Sequence, residues 1–204
     1  MSSKYDNTVS RLKQWVKTDI NLDDQFLRAP IFAKGSDGHE IMHDWETPIM
    51  EADAERLCAG GGSILNIGYG MGIIDGFIKS HKPDKHTIIE IHPQIVENAR
   101  AAGYENVLQG DWLNVVQFLD ETFDAIYFDT YSFDRKDWAI FTKYHVNRLL
   151  KPGGRYSYFN RSAAKLQGVA DMCRDMGWTS DILPVEFEEP GLGLQVYESI
   201  VWTK

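Results

Sequence analysis

Three glycines at alternate positions, Gly68, Gly70 and Gly72, join a short apolar run, Ile64 to Ile67, to a helical pattern. Small residues at such a joint let a ligand approach the backbone, and the helix start behind them offers free N–H groups. A dinucleotide site places its third glycine at position 73, where this chain has Ile73. Glu90 ends the next apolar run, where a carboxylate accepts both ribose hydroxyls of a nucleoside and disfavours a phosphate. Asp129 ends the fourth run, Asp124-Ala125-Ile126-Tyr127-Phe128-Asp129, on the edge where open α/β sheets bind ligands, and is expected to face whatever the glycine loop holds. Glu46, in Trp45-Glu46-Thr47-Pro48, is a second acid in front of a helix: it either reaches the site or meets the helix dipole.

The elements that must position these groups can be read from periodicity. Apolar runs of strand length fall at Ile64 to Ile67, Thr87 to Ile91, Asn106 to Leu108, Asp124 to Asp129, Arg155 to Asn160, Asp181 to Glu186 and Gln195 to Thr203. Helical patterns fit between them at Gly72 to Ser80, Pro93 to Ala101, Trp112 to Leu119, Asp137 to Leu150 and Ser162 to Met176, the fourth stopped by Lys151-Pro152-Gly153-Gly154. The alternation predicts an α/β fold with a sheet of about seven strands, mostly parallel. The last two strands leave no room for a helix, so they form an antiparallel C-terminal edge across the turn Glu189-Pro190-Gly191-Leu192-Gly193. Upstream, Val9, Leu12, Trp15 and Val16 line one face of a helix and Gly35 to Gly38 mark a joint, which divides the chain into an N-terminal segment, 1–45, and a main domain, 46–204. The segment either caps the sheet or closes as a lid.

The Gly68-x-Gly70-x-Gly72 loop resembles the first motif of class I S-adenosylmethionine-dependent methyltransferases, with Asn66 where that motif often has an acid. Gly110-Asp111-Trp112 then falls where such enzymes contact adenine, by a hydrogen bond accepted by the Asp111 side chain and by ring packing of Trp112, although Asp111 serves equally as a helix cap. Trp45-Glu46-Thr47-Pro48, the glycine loop, Ile88-Ile89-Glu90, Tyr127-Phe128-Asp129-Thr130-Tyr131 and Leu149 to Gly154 together resemble guanidinoacetate methyltransferase and its relative, the fungal-type protein arginine δ-N-methyltransferase. The second of these families also has the Asn before its glycine loop and a His-Pro after its second strand, here His92-Pro93. The similarity covers about residues 40 to 160. It implies that Glu46 and Asp129 hold the guanidinium of the methyl acceptor, that Glu90 holds the ribose of S-adenosyl-L-methionine, and that Met50 and Gly68 lie beside that cofactor. Thr130, Tyr131 and Asn160 complete the expected acceptor pocket.

The chemistry of the residues agrees with that assignment. A guanidinium is a planar fork of N–H donors that two carboxylates can hold by both edges. Methylating it also requires an acceptor for its proton, the role expected of Asp129, with Glu46 orienting. The protein-modifying enzymes carry a further N-terminal region not found here. The expected acceptor is therefore a small guanidino compound such as free arginine or guanidinoacetate, and the alternative is a protein arginine side chain.

Two rival readings come from other classes. His39-Glu40-Ile41-Met42-His43 matches the HExxH of zinc hydrolases, but that motif needs a long helix and a third ligand, and no metal is expected. A nucleoside-binding module without catalysis would leave Glu46 and Asp129 unexplained. Composition narrows the field further: a formal charge of -9 from 30 acidic and 21 basic residues leaves no general basic surface for nucleic acid. No apolar stretch reaches membrane-span length, the first residues do not read as a signal peptide, and the expected compartment is the cytoplasm. Cys58 and Cys173 form no CxxC pair and read as core side chains, and a homodimer is compatible with the sequence.

Overall fold

The computed structural model describes residues 4–22, 26–29, 39–131, 136–159 and 163–204. The described elements are, in order, α1 (Lys4–Trp15), β1 (Asn21–Leu22), β2 (Phe26–Ala29), β3 (His39–His43), α2 (Thr47–Cys58), β4 (Ser63–Ile67), α3 (Ile73–Ser80) and β5 (Lys85–Glu90). They continue with α4 (Pro93–Ala101), β6 (Asn106–Gln109), α5 (Trp112–Val115), β7 (Phe123–Phe128), α6 (Asp137–Phe141), α7 (Asn147–Leu149), β8 (Leu150–Tyr158), α8 (Ala163–Asp175), β9 (Thr179–Glu189) and β10 (Gly193–Thr203). Seven strands form one sheet in the order β6-β5-β4-β7-β8-β10-β9. The first five are parallel, and β10 runs antiparallel to both β8 and β9, as the missing crossover helix requires.

The central strands are buried almost throughout, successive residues pointing to opposite faces, because helices cover both. Ile64, Ile88, Ala125 and Tyr127 point into one core with Met50, Ala54 and Leu57 of α2, Ile74 and Ile78 of α3, and Ile95 of α4. Leu65, Ile67, Ile89, Ile126 and Phe128 point into the other, with Trp112, Phe141 and Cys173. Tyr127, Phe128, Tyr156 and Tyr158 are buried, as expected of central-strand aromatics. Both cysteines are free and buried.

Three features depart from the periodicity. The expected helix from Asp137 to Leu150 is α6 and α7 separated by a π-helical turn, Thr142–Val146. The stop signal Lys151 to Gly154 lies inside β8, where Gly153 at φ +74° lets the strand shift register opposite Phe123 and Ala125. The N-terminal segment adds a three-stranded antiparallel sheet, β1-β2-β3, from strands too short to show alternation. His39 to His43 is its third strand, so the two histidines stand roughly 13 Å apart instead of the roughly 6 Å of one helical turn. That removes the helix an HExxH zinc site needs. Among the described residues no helix is long and apolar enough to cross a membrane. Of the N-terminal face, Leu12 and Trp15 are buried in the α2–α3–α4 core and Val16 packs against it. The Gly35 to Gly38 joint lies outside the described residues.

Candidate active site at the carboxyl ends of β5, β4 and β7

Strand order reverses at β4, which opens a crevice at the carboxyl ends of its neighbours. Pairing continues one residue past the strands: Gly68 N–H donates to the Ile89 carbonyl at 2.8 Å, and Asp129 N–H to the Ile67 carbonyl at 2.9 Å. Glu90, Gly68 and Asp129 therefore stand side by side, the two acids roughly 10 Å apart across the glycine.

The glycines are demanded first by the protein itself. At Gly68, φ is +95° and a Cβ would stand 1.7 Å from the Asp129 carbonyl oxygen, so only glycine lets the loop lie against the β7 rim. Gly72 caps α3 at φ +73°, and a Cβ there would strike the Tyr69 ring at 2.4 Å. Met42 of β3 rests on the loop: its sulfur accepts the Met71 N–H at 3.2 Å and would lie 2.6 Å from a Cβ on Gly70. Asn66, the departure from the usual acid, also has a local cause. Its amide nitrogen donates to both oxygens of Asp75 and to the Gly68 carbonyl, all at 2.9 Å, inside the core. An acid at 66 would set two carboxylates against each other.

Glu90 is buried, and its two oxygens accept the backbone N–H groups of Tyr69 at 3.0 Å and His92 at 2.8 Å. Desolvation pushes its carboxyl above the ordinary range, while the N–H groups of His92, Tyr69, Gly70 and Ile91 pull it back. Of these, the Tyr69 and His92 N–H groups make the hydrogen bonds, which occupy two of a carboxylate's about four acceptor positions and leave capacity for a diol. Two buried polar atoms nearby, Thr130 Oγ1 and His92 Nδ1, have no hydrogen-bond partner among the described residues. The other nitrogen of His92 lies 2.9 Å from the Thr18 carbonyl and its ring packs on Trp15, so this histidine ties the N-terminal segment to the rim beside Glu90. Asp111 caps α5 by accepting the Leu113 N–H at 3.2 Å, and Trp112 sits edge-on among Phe128, Phe141 and His145.

The second half of the site is built from the start of α2 and the end of β7. Glu46 closes a 3-10 turn, Asp44–Glu46, and is 4% exposed. Its side chain makes no cap bond to α2. Met50, one turn on, is fully buried with its sulfur 3.6 Å from the Tyr127 hydroxyl. Asp129 lies two residues past Tyr127, where the pairing continues one residue beyond β7, so it is directed to the same face of the sheet as α2. Its carboxyl is pushed up to about 7, first by desolvation and then by the charges of Asp53, Asp75 and Glu90. Thr130 is half-buried and Tyr131 is 40% exposed, while Asn160 lies outside the described residues.

The periodicity missed one participant. Asp53 is 0% exposed and belongs to the buried stripe Ile49, Met50, Asp53, Ala54, Leu57 and Cys58 of α2. An acid at core spacing in an amphipathic helix was the signal.

The fold has counterparts among solved structures. A solved structure of the N-methyltransferase NodS from Bradyrhizobium japonicum matches with a TM-score of 0.57 at 17% identity, covering 78% of this chain and 96% of that one. The ribosomal protein L11 methylase from Lactobacillus delbrueckii matches at 0.56 and 14% identity, covering 90% and 96%. These establish the fold as that of the class I methyltransferases. Proteins named protein arginine N-methyltransferase 2 are 37% identical over 175 residues in Saccharomyces cerevisiae and 38% over 168 in Kluyveromyces lactis, covering 78% and 76% of this chain. The chain spans only 41% and 40% of the length of those relatives. The family model for guanidinoacetate N-methyltransferase matches residues 7–170, and the chain belongs to that family.

Proposed function

We propose that this protein is an S-adenosyl-L-methionine-dependent N-methyltransferase whose acceptor is the guanidino group of an arginine side chain in a polypeptide. The observation that carries the reading is Asp129: a carboxyl with raised proton affinity at the end of β7, against the glycine loop and on the α2 side of the sheet. The names of the relatives favour arginine in a protein as the acceptor. A small guanidino compound is the second reading, favoured by the family model's own name over residues 7–170.

The residues fit the methyl donor. Glu90 would take the ribose hydroxyls, Gly68, Gly70 and Met50 would line the sulfonium end, and Asp111 and Trp112 would border the adenine. Bound there, S-adenosyl-L-methionine supplies a methyl group on a positively charged sulfur, which keeps the carbon–sulfur electron pair when the methyl leaves.

Everything else is done by the chain. Glu46 and Asp129 accept N–H groups from the planar cation and fix one nitrogen toward the donor, which lowers the entropic part of the barrier. A guanidinium nitrogen has a delocalised lone pair and a pKa above about 12, so it attacks only as its proton leaves. Asp129 takes that proton as the nitrogen–carbon bond forms, and the product stays a methylated guanidinium. The N-terminal segment, 1–45, acts as a lid: Met42 on the glycine loop and Trp15 on His92 exclude water from the charges.

Incubation with methyl-labelled S-adenosyl-L-methionine and a panel of arginine-bearing polypeptides, free arginine and guanidinoacetate tests the proposal. Label on arginine in digested polypeptide is expected. Label confined to a small compound would transfer the assignment to the second reading, and label on neither would end both.

A further inference from the structure

A carboxylate in the apolar stripe of a helix needs an account, because burial alone disfavours it. Asp53 accepts the Tyr127 hydroxyl at 2.9 Å and the Ser199 hydroxyl. Arg56 makes no hydrogen bond to Asp53. It holds Ser199 instead, donating to its Oγ at 2.6 Å and its carbonyl at 2.7 Å, and pairs with Asp181 at 2.9 Å. The network joins α2, β7, β10 and β9, and among the described residues the hydrogen bonds to the carboxylate come from neutral hydroxyls, with the Arg56 charge acting on it from behind Ser199. For stability alone an apolar pair in place of Asp53 and Tyr127 would serve as well, since buried charges are commonly replaced by hydrophobic side chains at no loss.

The position of Asp53 supplies that account. Tyr127 bridges from Asp53 to the β7 strand two residues before Asp129, and its hydroxyl is also 3.6 Å from Met50. We infer that Asp53 is a positioning residue for methyl transfer: through Tyr127 it fixes Met50 and the β7 rim that carries Asp129. This rests on the reading of Asp129 as the group that takes the guanidinium proton.

The groups that face this pair come from several elements. Asp129 feels Asp53 from α2, Asp75 from α3 and Glu90 from β5, with Tyr127 two residues before it. Asp53 feels Tyr127, Ser199 and Arg56, with Asp181 beyond Arg56 and Tyr197 facing Tyr127. Asp53 is raised to about 6, by desolvation first, and Asp129 to about 7. Two such neighbours titrate as a coupled pair, so removing one lowers the proton affinity of the other.

The experiment compares wild type, Asp53→Asn and Asp129→Asn by pH profiles of kcat and kcat/KM, with S-adenosylhomocysteine affinity from calorimetry. An infrared titration of the protonated-carboxyl band in the free protein reads the same groups without turnover. Asp53→Asn should move the acid limb and the Asp129 band to lower pH by roughly half to one unit and cut plateau kcat by roughly 3- to 30-fold, with donor-product affinity within roughly twofold. If Asp53→Asn does not fold, Asp53→Leu with Tyr127→Phe removes both partners together and should shift limb and band in the same direction. A limb that disappears in Asp129→Asn but stays in place without Asp53 would overturn the inference and leave the role of Asp129 intact. A wild-type limb that survives Asp129→Asn would instead sink the reading beneath it.

Discussion

Glu90 and Asp129 end strands on either side of β4, and desolvation pushes both carboxyls above the ordinary range. What surrounds them differs. Glu90 faces backbone N–H groups from His92, Tyr69, Gly70 and Ile91, which oppose the effect of burial. Asp129 faces Asp53, Asp75 and Glu90, which add to it. Backbone donors make a carboxylate a fixed acceptor, suited to neutral hydroxyls, whereas like charges make it hungry for a cation or a proton. In the proposed reading, the same chemical group serves donor recognition on one side of Gly68 and proton transfer on the other.

Removing the charge at Asp129 is the most damaging way to test that contrast. Asp129→Asn keeps the shape but neither orients the cation nor takes its proton, so turnover should fall by about two to four orders of magnitude with S-adenosylhomocysteine affinity unchanged. Because the ionised form works and the carboxyl sits at about 7, wild-type kcat/KM should rise with pH through about 7 and level above it. Near-normal turnover in the variant would dissolve the acceptor half of the comparison.

Glu90→Ala addresses the donor half. It should weaken S-adenosylhomocysteine by about 1–3 kcal/mol in a calorimetric titration, because charged hydrogen bonds are lost and the Tyr69 and His92 N–H groups are left unpaired. An unchanged Kd would mean that Glu90 merely pins the loop.

Asn66→Asp asks whether the donor side tolerates the like-charge environment found around Asp129. It should cost about 1–3 kcal/mol at neutral pH by opposing Asp75, and the loss should shrink as pH falls and one of the pair takes a proton. Melting curves at two pH values would read this, and equal loss at both would show that the amide's shape matters, not its charge.

Glu46→Gln should produce the smallest change. If Glu46 holds the cation equally in the ground and transition states, KM for the guanidino acceptor rises about tenfold while kcat stays within about threefold. A kcat that drops with KM unmoved would place Glu46 beside Asp129 as a group working in the transition state.

The seven-stranded sheet was legible because its central strands carry continuous apolar runs and the crossovers between parallel strands carry helical periods, local properties that packing then satisfies. The row Glu90, Gly68, Asp129 was legible for the same reason, since a residue ending a parallel strand must stand at the carboxyl rim. The small sheet β1-β2-β3 was not, since strands of 2, 4 and 5 residues carry too few turns of the pattern. Nor was the break in the helix after Asp137, where apolar spacing is nearly the same through a π turn.

The sequence by itself determined the fold class, the glycine loop and which acids end which strands, because these follow from residue type and short-range spacing. Only the tertiary structure decided what those acids are worth. Whether a carboxyl meets N–H donors, as Glu90 does, or other carboxyls, as Asp129 does, depends on groups up to 76 residues away in the chain, the separation of Asp53 and Asp129. Electrostatic energies depend on distance and solvent access in space, and no periodicity along the chain encodes them.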